Sequence, residues 1–395
     1  MFTRASWLCI TALSAVGSPA FAHALAPTDR REHEWPGNGR TLPRDPLESM
    51  TAAEIIRHWG YPVESHDVVT DDGFVLEMLR IPHGRRLGMG AQSARVVTWV
   101  DEMAKYDAPA AIDKVLQLNG AGSLYWVAHS QGTIIGFMMP AERPEYNQKV
   151  RALFQLGTVG TMHYAKGIAR MIIKLSIAFR PLTRVRKFNK EAIKLRELSS
   201  EYNLDAHEVG FHNPAVMGDA TRILCPPAKV GQLCYNLISH YTGHPSKAFN
   251  WVGEVFSDCA FRSRAPIYFS HSLLSTSSWT LLQYIQNSDR NSVDHFDSSP
   301  MENLRRYGTV QAPPYNYSNI KSDVYLFWSR SDWMTTPREI TKWWIPHLKK
   351  GVIKGAFETP SYSHADWIFA TDLKDRVFNR IISIVRKHEK NACHE

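Results

Sequence analysis

The sequence predicts an α/β fold, in which a mostly parallel sheet is flanked by helices and an inserted helical segment forms a cap. Two stretches, residues 23–164 and 308–395, alternate between short apolar runs and helical patterns. Between them, residues 165–307 lose this alternation and stay helical and irregular. Alternating strands and helices are typical of a parallel sheet covered on both faces. The third observation is a serine at a strand-to-helix turn within the first stretch.

Composition limits the classes of function. The chain has 395 residues, of which 44% are hydrophobic and 21% charged, which indicates a packed globular protein. Its formal net charge of +8 favours an anionic partner surface, either nucleic acid or acidic lipid. No nucleic-acid-binding motif and no zinc-like spacing of Cys and His accompanies that charge. We therefore expect no nucleic-acid partner, no metal and no cofactor.

The first 22 residues have the features of a secretory signal peptide. Arg4 supplies a positive charge, residues 7–16 are apolar, and Ala20-Phe21-Ala22 matches the small-residue cleavage pattern. The rival interpretation is a membrane anchor, which needs a longer apolar run. Cleavage after Ala22 would send the mature chain into the secretory pathway, and from there to the cell exterior or the lysosome.

The secretory pathway permits disulfides. Cys9 leaves with the predicted signal peptide, so Cys225, Cys234, Cys259 and Cys393 remain. Four cysteines allow three pairings, and spacing alone does not choose among them. We favour a local bridge between Cys225 and Cys234, which is sterically easy. Four free, partly buried thiols are the alternative.

Local motifs place the elements that precede the serine. Residues 49–59 can form a helix, with Thr51 as N-cap and Glu54 three residues later, as in a capping box. Two β-rich runs, at 66–70 and 74–81, flank an Asp-Asp-Gly turn and indicate a hairpin. Further along, residues 101–118 carry apolar side chains at helical spacing and end at a glycine-rich stop.

The serine lies in the pentapeptide AHSQG, residues 128–132. An apolar run at 123–128 precedes it, a stretch that can turn helical comes after it, and another buried strand is predicted at 150–156. At a sharp strand-to-helix turn, small residues two before and two after the serine let the two elements approach closely. Ala128 stands where glycine is usual. Because so short a motif also arises by chance, the interpretation depends on matching residues further along the chain.

Two polar residues come directly after predicted strands in the C-terminal stretch. Asp332 lies just beyond a strand at 324–328, and His364 lies in the loop after a strand at 352–357. Catalytic groups of open α/β sheets gather at the carboxyl ends of the strands. A serine hydroxyl needs an adjacent base, and an acid orients that base. The order Ser130, Asp332, His364 therefore predicts the nucleophile, acid and base of an α/β-hydrolase.

Two other segments complete the predicted organisation. The cap begins with a run of Lys and Arg, from Lys166 to Arg196, interleaved with apolar residues. Such a basic amphipathic helix can lie on a membrane surface, but we favour the solvated face of an added domain. At the end of the chain, the apolar spacing predicts one helix over residues 366–387.

Several of these motifs resemble those of the acid lipase family, which comprises gastric and lysosomal acid lipases. The matching segments are YPVESHDVVTDDGFVLEMLRIPHG (61–84), DEMAKYDAP (101–109), YWVAHSQGTIIG (125–136), DW (332–333) and YSHAD (362–366). The resemblance implies an α/β-hydrolase fold with a helical cap. It also implies hydrolysis of neutral lipid esters, triacylglycerol or sterol ester, at a lipid–water interface, where contact with a membrane or lipid droplet is expected.

The resemblance also implies roles for particular residues. It puts the nucleophile at Ser130, the acid at Asp332 and the base at His364. The backbone N–H of Gln131 would be one donor to the oxyanion. The family's local disulfide has the spacing of Cys225 and Cys234, and its members carry a glycosylation sequon where Asn316 opens the sequence Asn-Tyr-Ser.

One departure from the family pattern concerns residues 85–100 (RRLGMGAQSARVVTWV). Family members carry a long segment here, with two strands, a helix and a His-Gly loop that supplies the second oxyanion donor. The short segment of this chain cannot hold them, although residues 95–100 can form one substitute strand. We therefore expect an incomplete core and impaired activity, from an internally shortened form or an imperfect gene model. The alternative function is a catalytically weak lipid-binding or interaction protein of the same fold.

Overall fold

The structure is a computed structural model, and it describes residues 6–11, 46–83, 100–183, 208–209, 239–246 and 276–392. Several predictions concern other residues and lie outside this described part. They are the disulfide between Cys225 and Cys234, the segment 85–99, and the basic run beyond residue 183.

The described part contains a central parallel sheet. The strands are β1 (Ser6–Thr11), β2 (Glu64–Val69), β3 (Val75–Arg80), β4 (Leu124–Ser130), β5 (Val150–Thr158), β6 (Glu208–Val209), β7 (Thr276–Ser277), β8 (Asp323–Trp328) and β9 (Ile353–Glu358). Five of them form the sheet in the order β1-β4-β5-β8-β9, and every neighbouring pair is parallel. The predicted strands around the serine, the acid and the base are confirmed, and so is the α/β fold.

Helices flank this sheet. They are α1 (Ala52–His58), α2 (Val100–Glu102), α3 (Ala108–Asn119), α4 (Gln131–Glu142), α5 (Gly167–Thr183), α6 (Ser278–Arg290), α7 (Pro300–Tyr307), α8 (Pro337–Glu339), α9 (Ile345–His347), α10 (Asp366–Phe369) and α11 (Asn379–Ala392). Single turns of 3-10 helix span Pro46–Glu48, Pro144–Asn147 and Tyr317–Asn319, and π-turns span Met103–Asp107, Ile340–Trp344 and Lys374–Phe378. Among the described residues, none of the helices has the length and apolarity needed to cross a bilayer.

Local sequence signals explain where the first elements begin and end. Thr51 and Glu54 form the predicted capping box of α1, because each backbone N–H donates to the other residue's side chain. Strands β2 and β3 pair in antiparallel register, as the Asp-Asp-Gly turn predicts. Helix α3 ends at Gly120, whose φ of 60° is the left-handed conformation that glycine adopts readily.

The core lies on both faces of the sheet, and β4 illustrates this. Leu124, Trp126 and Ala128 pack into the cluster that contains α3 and α4. The alternate residues Tyr125 and Val127 pack into a second cluster with the C-terminal helix α11. Because successive side chains of a strand point to opposite faces, a strand buried on both faces is apolar at every position.

The predicted C-terminal helix over 366–387 is wrong in one respect. The chain forms α10, then turns at Ala370, whose ψ of 133° is extended, and becomes helical again from Lys374. The interruption leaves Asp372 beside two donors, since its carboxylate accepts the Tyr362 hydroxyl and the Arg376 guanidinium. Asp372 in the interruption is thus bonded both to the loop before α10 and to the helical turn that follows.

The edge of the sheet beside β4 also differs from expectation. The shortened segment predicts that β4 lacks a neighbour on that side, with 95–100 as the possible substitute. In the structure β1 pairs with β4, from Ser6 opposite Leu124 to Thr11 opposite His129, and Val100 is helical. Strand β1 lies within the predicted signal peptide, so the neighbour of β4 comes from residues that cleavage after Ala22 would remove.

Candidate active site

Ser130 lies at a strained turn between β4 and α4. Its φ of 52° and ψ of −123° are unusual for a residue with a side chain, and such strain costs about 1–3 kcal/mol. Ala128 and Gly132, the small residues on either side, are buried where strand and helix meet. The Thr133 side chain stabilises the turn: its hydroxyl donates to the Ser130 carbonyl at 2.5 Å and accepts from the Val159 N–H.

The structure brings Ser130, Asp332 and His364 together. The Oγ of Ser130 is 2.8 Å from Nε2 of His364, and Nδ1 of His364 is 2.9 Å from Oδ2 of Asp332. Asp332 comes after β8, and His364 comes after β9, so both side chains lie beyond the carboxyl ends of adjacent parallel strands. Both are buried, whereas Ser130 is partly accessible at the end of its strand.

Hydrogen-bond chemistry fixes the direction of proton donation in this chain. A carboxylate only accepts, so Nδ1–H of His364 must donate to Asp332. In a neutral imidazole Nε2 is then the acceptor, and the Ser130 hydroxyl donates to it. The arrangement can take up the serine proton at Nε2 while Asp332 stabilises the positive charge that develops on the ring.

Asp332 has further partners that the sequence motifs did not reveal. Its carboxylate accepts from the backbone N–H groups of Met334 and Thr335, from the Thr335 hydroxyl at 2.6 Å, and from the indole N–H of Trp367 at 3.0 Å. Gly157, with a φ of 55°, makes room for this, because a Cβ there would lie 2.8 Å from the Trp367 ring. The acid is therefore fixed in orientation by its own loop and by α10.

His129 is another residue that sequence reasoning missed. Its Nε2 lies 3.1 Å from the backbone carbonyl oxygen of His364, and the two rings lie 4.6 Å apart. Nε2 must donate, since a carbonyl only accepts. Burial lowers the pKa of His129 well below its ordinary value, and the charge of His364 acts in the same direction. A neutral imidazole thus supports the backbone of the base.

One predicted oxyanion donor lies in the described part. Gln131 is the first residue of α4, so its backbone N–H is one of the unpaired donors at a helix N-terminus. Its side chain is turned away to the sulfur of Met103. The second donor is expected from the segment around 85–99, which lies outside the described residues, so its absence stays a prediction.

Asn316 is exposed and precedes a single 3-10 turn. Its side-chain oxygen accepts from the hydroxyl and the backbone N–H of Ser318, within the sequon itself. The predicted glycosylation site therefore lies on an exposed loop. Whether it carries a glycan stays a prediction.

Comparison with known proteins shows which families and proteins this chain is similar to. Residues 52–99 match the family described as partial alpha/beta-hydrolase lipase region, and residues 86–186 match the family described as alpha/beta hydrolase fold. The chain is 25% identical to lipase lipl-1 of Caenorhabditis elegans over 410 residues, covering 88% of this chain and 94% of the relative. It is 24% identical to gastric triacylglycerol lipase of Homo sapiens over 445 residues, covering 97% and 100%.

These relatives extend the resemblance far beyond the short motifs. The bovine gastric triacylglycerol lipase is also 25% identical over 410 residues, with 88% of this chain aligned. The alignment is longer than the part of this chain that enters it, so the relative carries residues without a counterpart here. The predicted resemblance is confirmed: the chain is a relative of the gastric and other acid-type lipases, built on the α/β-hydrolase fold.

Proposed function

We propose that this protein is a serine ester hydrolase that cleaves neutral lipid esters, triacylglycerol or sterol ester, through an acyl-enzyme. The observation that carries the proposal is the hydrogen-bonded chain from Ser130 through His364 to Asp332, at the strained turn after β4. The similarity to lipases supports the substrate class. The predicted signal peptide and sequon support a secreted or lysosomal location.

The geometry supports a reaction in two stages, acylation and deacylation. Nε2 of His364 takes the proton of Ser130 as Oγ attacks the ester carbonyl, and the carbonyl oxygen becomes an oxyanion. The N–H of Gln131 donates to that oxygen, and Asp332 stabilises the imidazolium. The imidazolium then protonates the departing alcohol, which leaves an acyl-serine. Water, deprotonated by His364, releases the fatty acid and restores the hydroxyl.

The proposed activity is reduced by the shortened segment. Removing one oxyanion donor typically lowers kcat by ~10²–10³-fold. The chain retains the candidate donor at Gln131 and the whole acid–base arrangement. We therefore propose slow turnover rather than none. The second candidate function, a lipid-binding protein with negligible turnover, is favoured by the same departure from the family pattern.

Covalent labelling with a fluorophosphonate separates the two candidates. The probe reports an activated serine whatever the natural substrate is, so the hydrolase should be labelled and the Ser130→Ala variant should not. Ser65→Ala is the control, because the Ser65 hydroxyl also donates a hydrogen bond, here to the Glu77 carboxylate at 2.7 Å, but lies in the β2–β3 hairpin. Label equal in the parent and in Ser130→Ala would refute the assignment of the nucleophile.

Helix α5 provides a candidate surface for lipid. Met171, Ile172 and Leu175 are 53%, 50% and 49% exposed, beside the cations Arg170 and Lys174. Exposed apolar residues framed by Lys and Arg are typical of helices that lie in a lipid–water interface. We therefore propose contact between this face and the lipid surface, in place of the solvated face favoured by the sequence.

A pair of charge substitutions tests this surface. Ile172→Glu with Leu175→Glu should lower hydrolysis of an emulsified triacylglycerol and binding to anionic phospholipid vesicles. Hydrolysis of a soluble short-chain ester should not change. Ile382→Glu is the control, since Ile382 is also exposed but lies on α11. Unchanged emulsion hydrolysis would exclude this face as the lipid contact.

A further inference from the structure

A short segment of the cap, residues 239–246, lies against the loops that carry the acid and the base. The backbone carbonyl of Thr242 accepts two hydrogen bonds, one from the N–H of Trp333 at 3.2 Å and one from the N–H of His364 at 2.9 Å. Trp333 is the residue after Asp332. A single cap carbonyl therefore joins the acid loop to the base itself.

A second cap residue holds the acid loop from its other side. The carbonyl of Trp333 accepts from the N–H of Lys166 at 2.7 Å, at the start of the cap. Both backbone groups of the residue beside Asp332 are thus bonded to the cap. The acid loop lies between the two cap segments.

The base loop is tied to the same segment through a buried carboxylate. Asp366 accepts from the N–H and the hydroxyl of Ser246, at 2.9 Å and 2.6 Å. It also accepts from the N–H and the hydroxyl of Ser363, at 2.7 Å and 2.6 Å. Burial raises the pKa of Asp366, and these hydrogen bonds oppose that rise. Ser363 directly precedes His364, so the contact fixes the base from its N-terminal side.

Glycines allow the backbones to come this close. Gly243 has a φ of 96°, and a Cβ there would lie 1.9 Å from the carbonyl oxygen of Ser331. Gly167 has a φ of 61°, and a Cβ there would lie 2.0 Å from the carbonyl oxygen of His240. At Gly243 the cap and the acid loop therefore meet main chain to main chain, and at Gly167 two cap segments meet in the same way.

We propose that the segment 239–246 positions the catalytic acid and base, with Ser246 and Asp366 as its positioning residues, an inference that rests on the hydrolase function proposed above. Neither residue touches the reacting atoms. They act by holding His364 in register with Ser130, while the Thr242 carbonyl of the same segment also holds the acid loop. A misplacement of about 1 Å can lower turnover by roughly 10²-fold, so a loosened contact lowers kcat while leaving substrate binding intact.

Kinetics on a soluble short-chain ester test the side-chain part of this contact. Ser246→Ala should lower kcat roughly tenfold and change KM by less than about twofold, because orientation is lost and not binding. Ser246→Thr, which keeps the hydroxyl, should recover most of kcat. Ser65→Ala is the control for loss of a serine–carboxylate hydrogen bond elsewhere. Equal kcat in Ser246→Ala and the parent would overturn the role of Ser246.

Hydrogen exchange tests the contact without relying on activity. In Gly243→Ala, the new Cβ would displace the acid loop, so the amides of Trp333 and His364 should exchange faster than in the parent. Hairpin amides in β2 and β3 should exchange at the parent rate. Unchanged exchange at Trp333 and His364 would overturn the proposed contact. If Gly243→Ala exchanges faster at these amides but the parent shows no Ser130-dependent turnover, the proposed hydrolase function is refuted and the proposed contact stands.

Discussion

The two sides of Ser130 are built from different parts of the chain. On the acid–base side, the loops after β8 and β9 supply Asp332 and His364, and both are held by many hydrogen bonds. On the oxyanion side, the described residues supply one candidate donor, the N–H of Gln131. The first side comes from residues after 308, whereas the family resemblance assigns the second donor to residues before 100. The predicted shortening between Gly84 and Asp101 would therefore leave the acid–base half of the candidate site intact.

The two neighbours of β4 in the sheet also come from different parts of the chain. Strand β5 pairs with β4 across its whole length and comes from the adjacent α/β unit. Strand β1, on the other edge, comes from residues that also form a predicted signal peptide. The same residues cannot both be cleaved and remain in the sheet of the mature protein. The stability of the mature fold depends on which occurs.

The acid–base side gives the largest expected effects. His364→Ala should abolish detectable turnover, as should Ser130→Ala, because triad members act as a unit. Asp332→Asn should lower kcat by about 10⁴-fold, since it favours the wrong imidazole tautomer. Steady-state hydrolysis of a short-chain ester measures both. The controls are His66→Ala in the hairpin and Asp113→Asn, and a silent Asp332→Asn would mean that another carboxylate orients His364.

The next effect concerns the segment between Gly84 and Asp101. Inserting the corresponding residues of a relative should raise kcat by about 10²–10³-fold, because a second oxyanion donor is restored. It should also raise the melting temperature, since the insert would add the strands and helix that the family pattern places there. A Gly/Ser insert of equal length controls for the added chain. Equal turnover and equal melting of the parent and the restored chain would show that the segment is dispensable.

Removal of the first 22 residues is expected to have a smaller effect. A chain that starts at His23 lacks β1, so β4 loses the backbone hydrogen bonds on that edge. The melting temperature of the shortened protein should therefore fall by at least ~2 °C. Calorimetry of the two chains measures the difference. N-terminal sequencing of secreted protein then tells which form occurs. If both chains melt together, β1 contributes nothing to the sheet.

The smallest effect concerns Asp107, the residue that directly precedes α3. Among the described residues, Oδ1 of Asp107 has no hydrogen-bond partner. Burial raises its pKa to about 7, and the charges of Asp72 and Glu102 add to that rise. In the unfolded chain the pKa of an aspartate is ~3.9. Between that pH and about pH 7 the folded protein therefore keeps Asp107 protonated while the unfolded chain does not, and the free energy of unfolding decreases as pH rises.

Asp107→Asn removes this pH dependence. The variant should be more stable than the parent at pH ~8, by roughly 1–3 kcal/mol, and nearly equal to it at pH ~4. Urea denaturation at the two pH values measures this. Asp113→Asn, at a partly exposed carboxylate that accepts the Tyr146 hydroxyl, is the control. A variant less stable than the parent at pH ~8 would mean that Asp107 is paired there.

Sequence patterns predicted the parts of the site that have local signatures. An apolar run with a polar residue after it located Asp332 and His364, and small residues around Ser130 located the turn. Trp367 and Gly157 escaped prediction because their proximity to Asp332 depends on how separate loops fold together, whereas Thr335 contacts Asp332 within one loop that carries no recognised motif. The carbonyl of Thr242 escaped it for a deeper reason, since a backbone acceptor has no side-chain signature at all.

Strand β1 was not predicted because two structures share one pattern. A signal peptide and a buried parallel strand are both short apolar runs, and periodicity does not distinguish them. The break before Lys374 was missed for a related reason. Apolar spacing continues across it, and the hydrogen bond between Tyr362 and Asp372 that accompanies the interruption has no local sequence signature.

The strained backbone of Ser130 bears on how such a chain evolves. A glycine adopts a φ of 52° without strain, so Ser130→Gly would relieve part of a cost of about 1–3 kcal/mol. A descendant protein without catalytic activity could therefore gain stability by a single substitution at this position. Proteins keep a destabilising residue where activity requires it. The serine that remains here is the residue that selection for binding or stability alone would tend to replace.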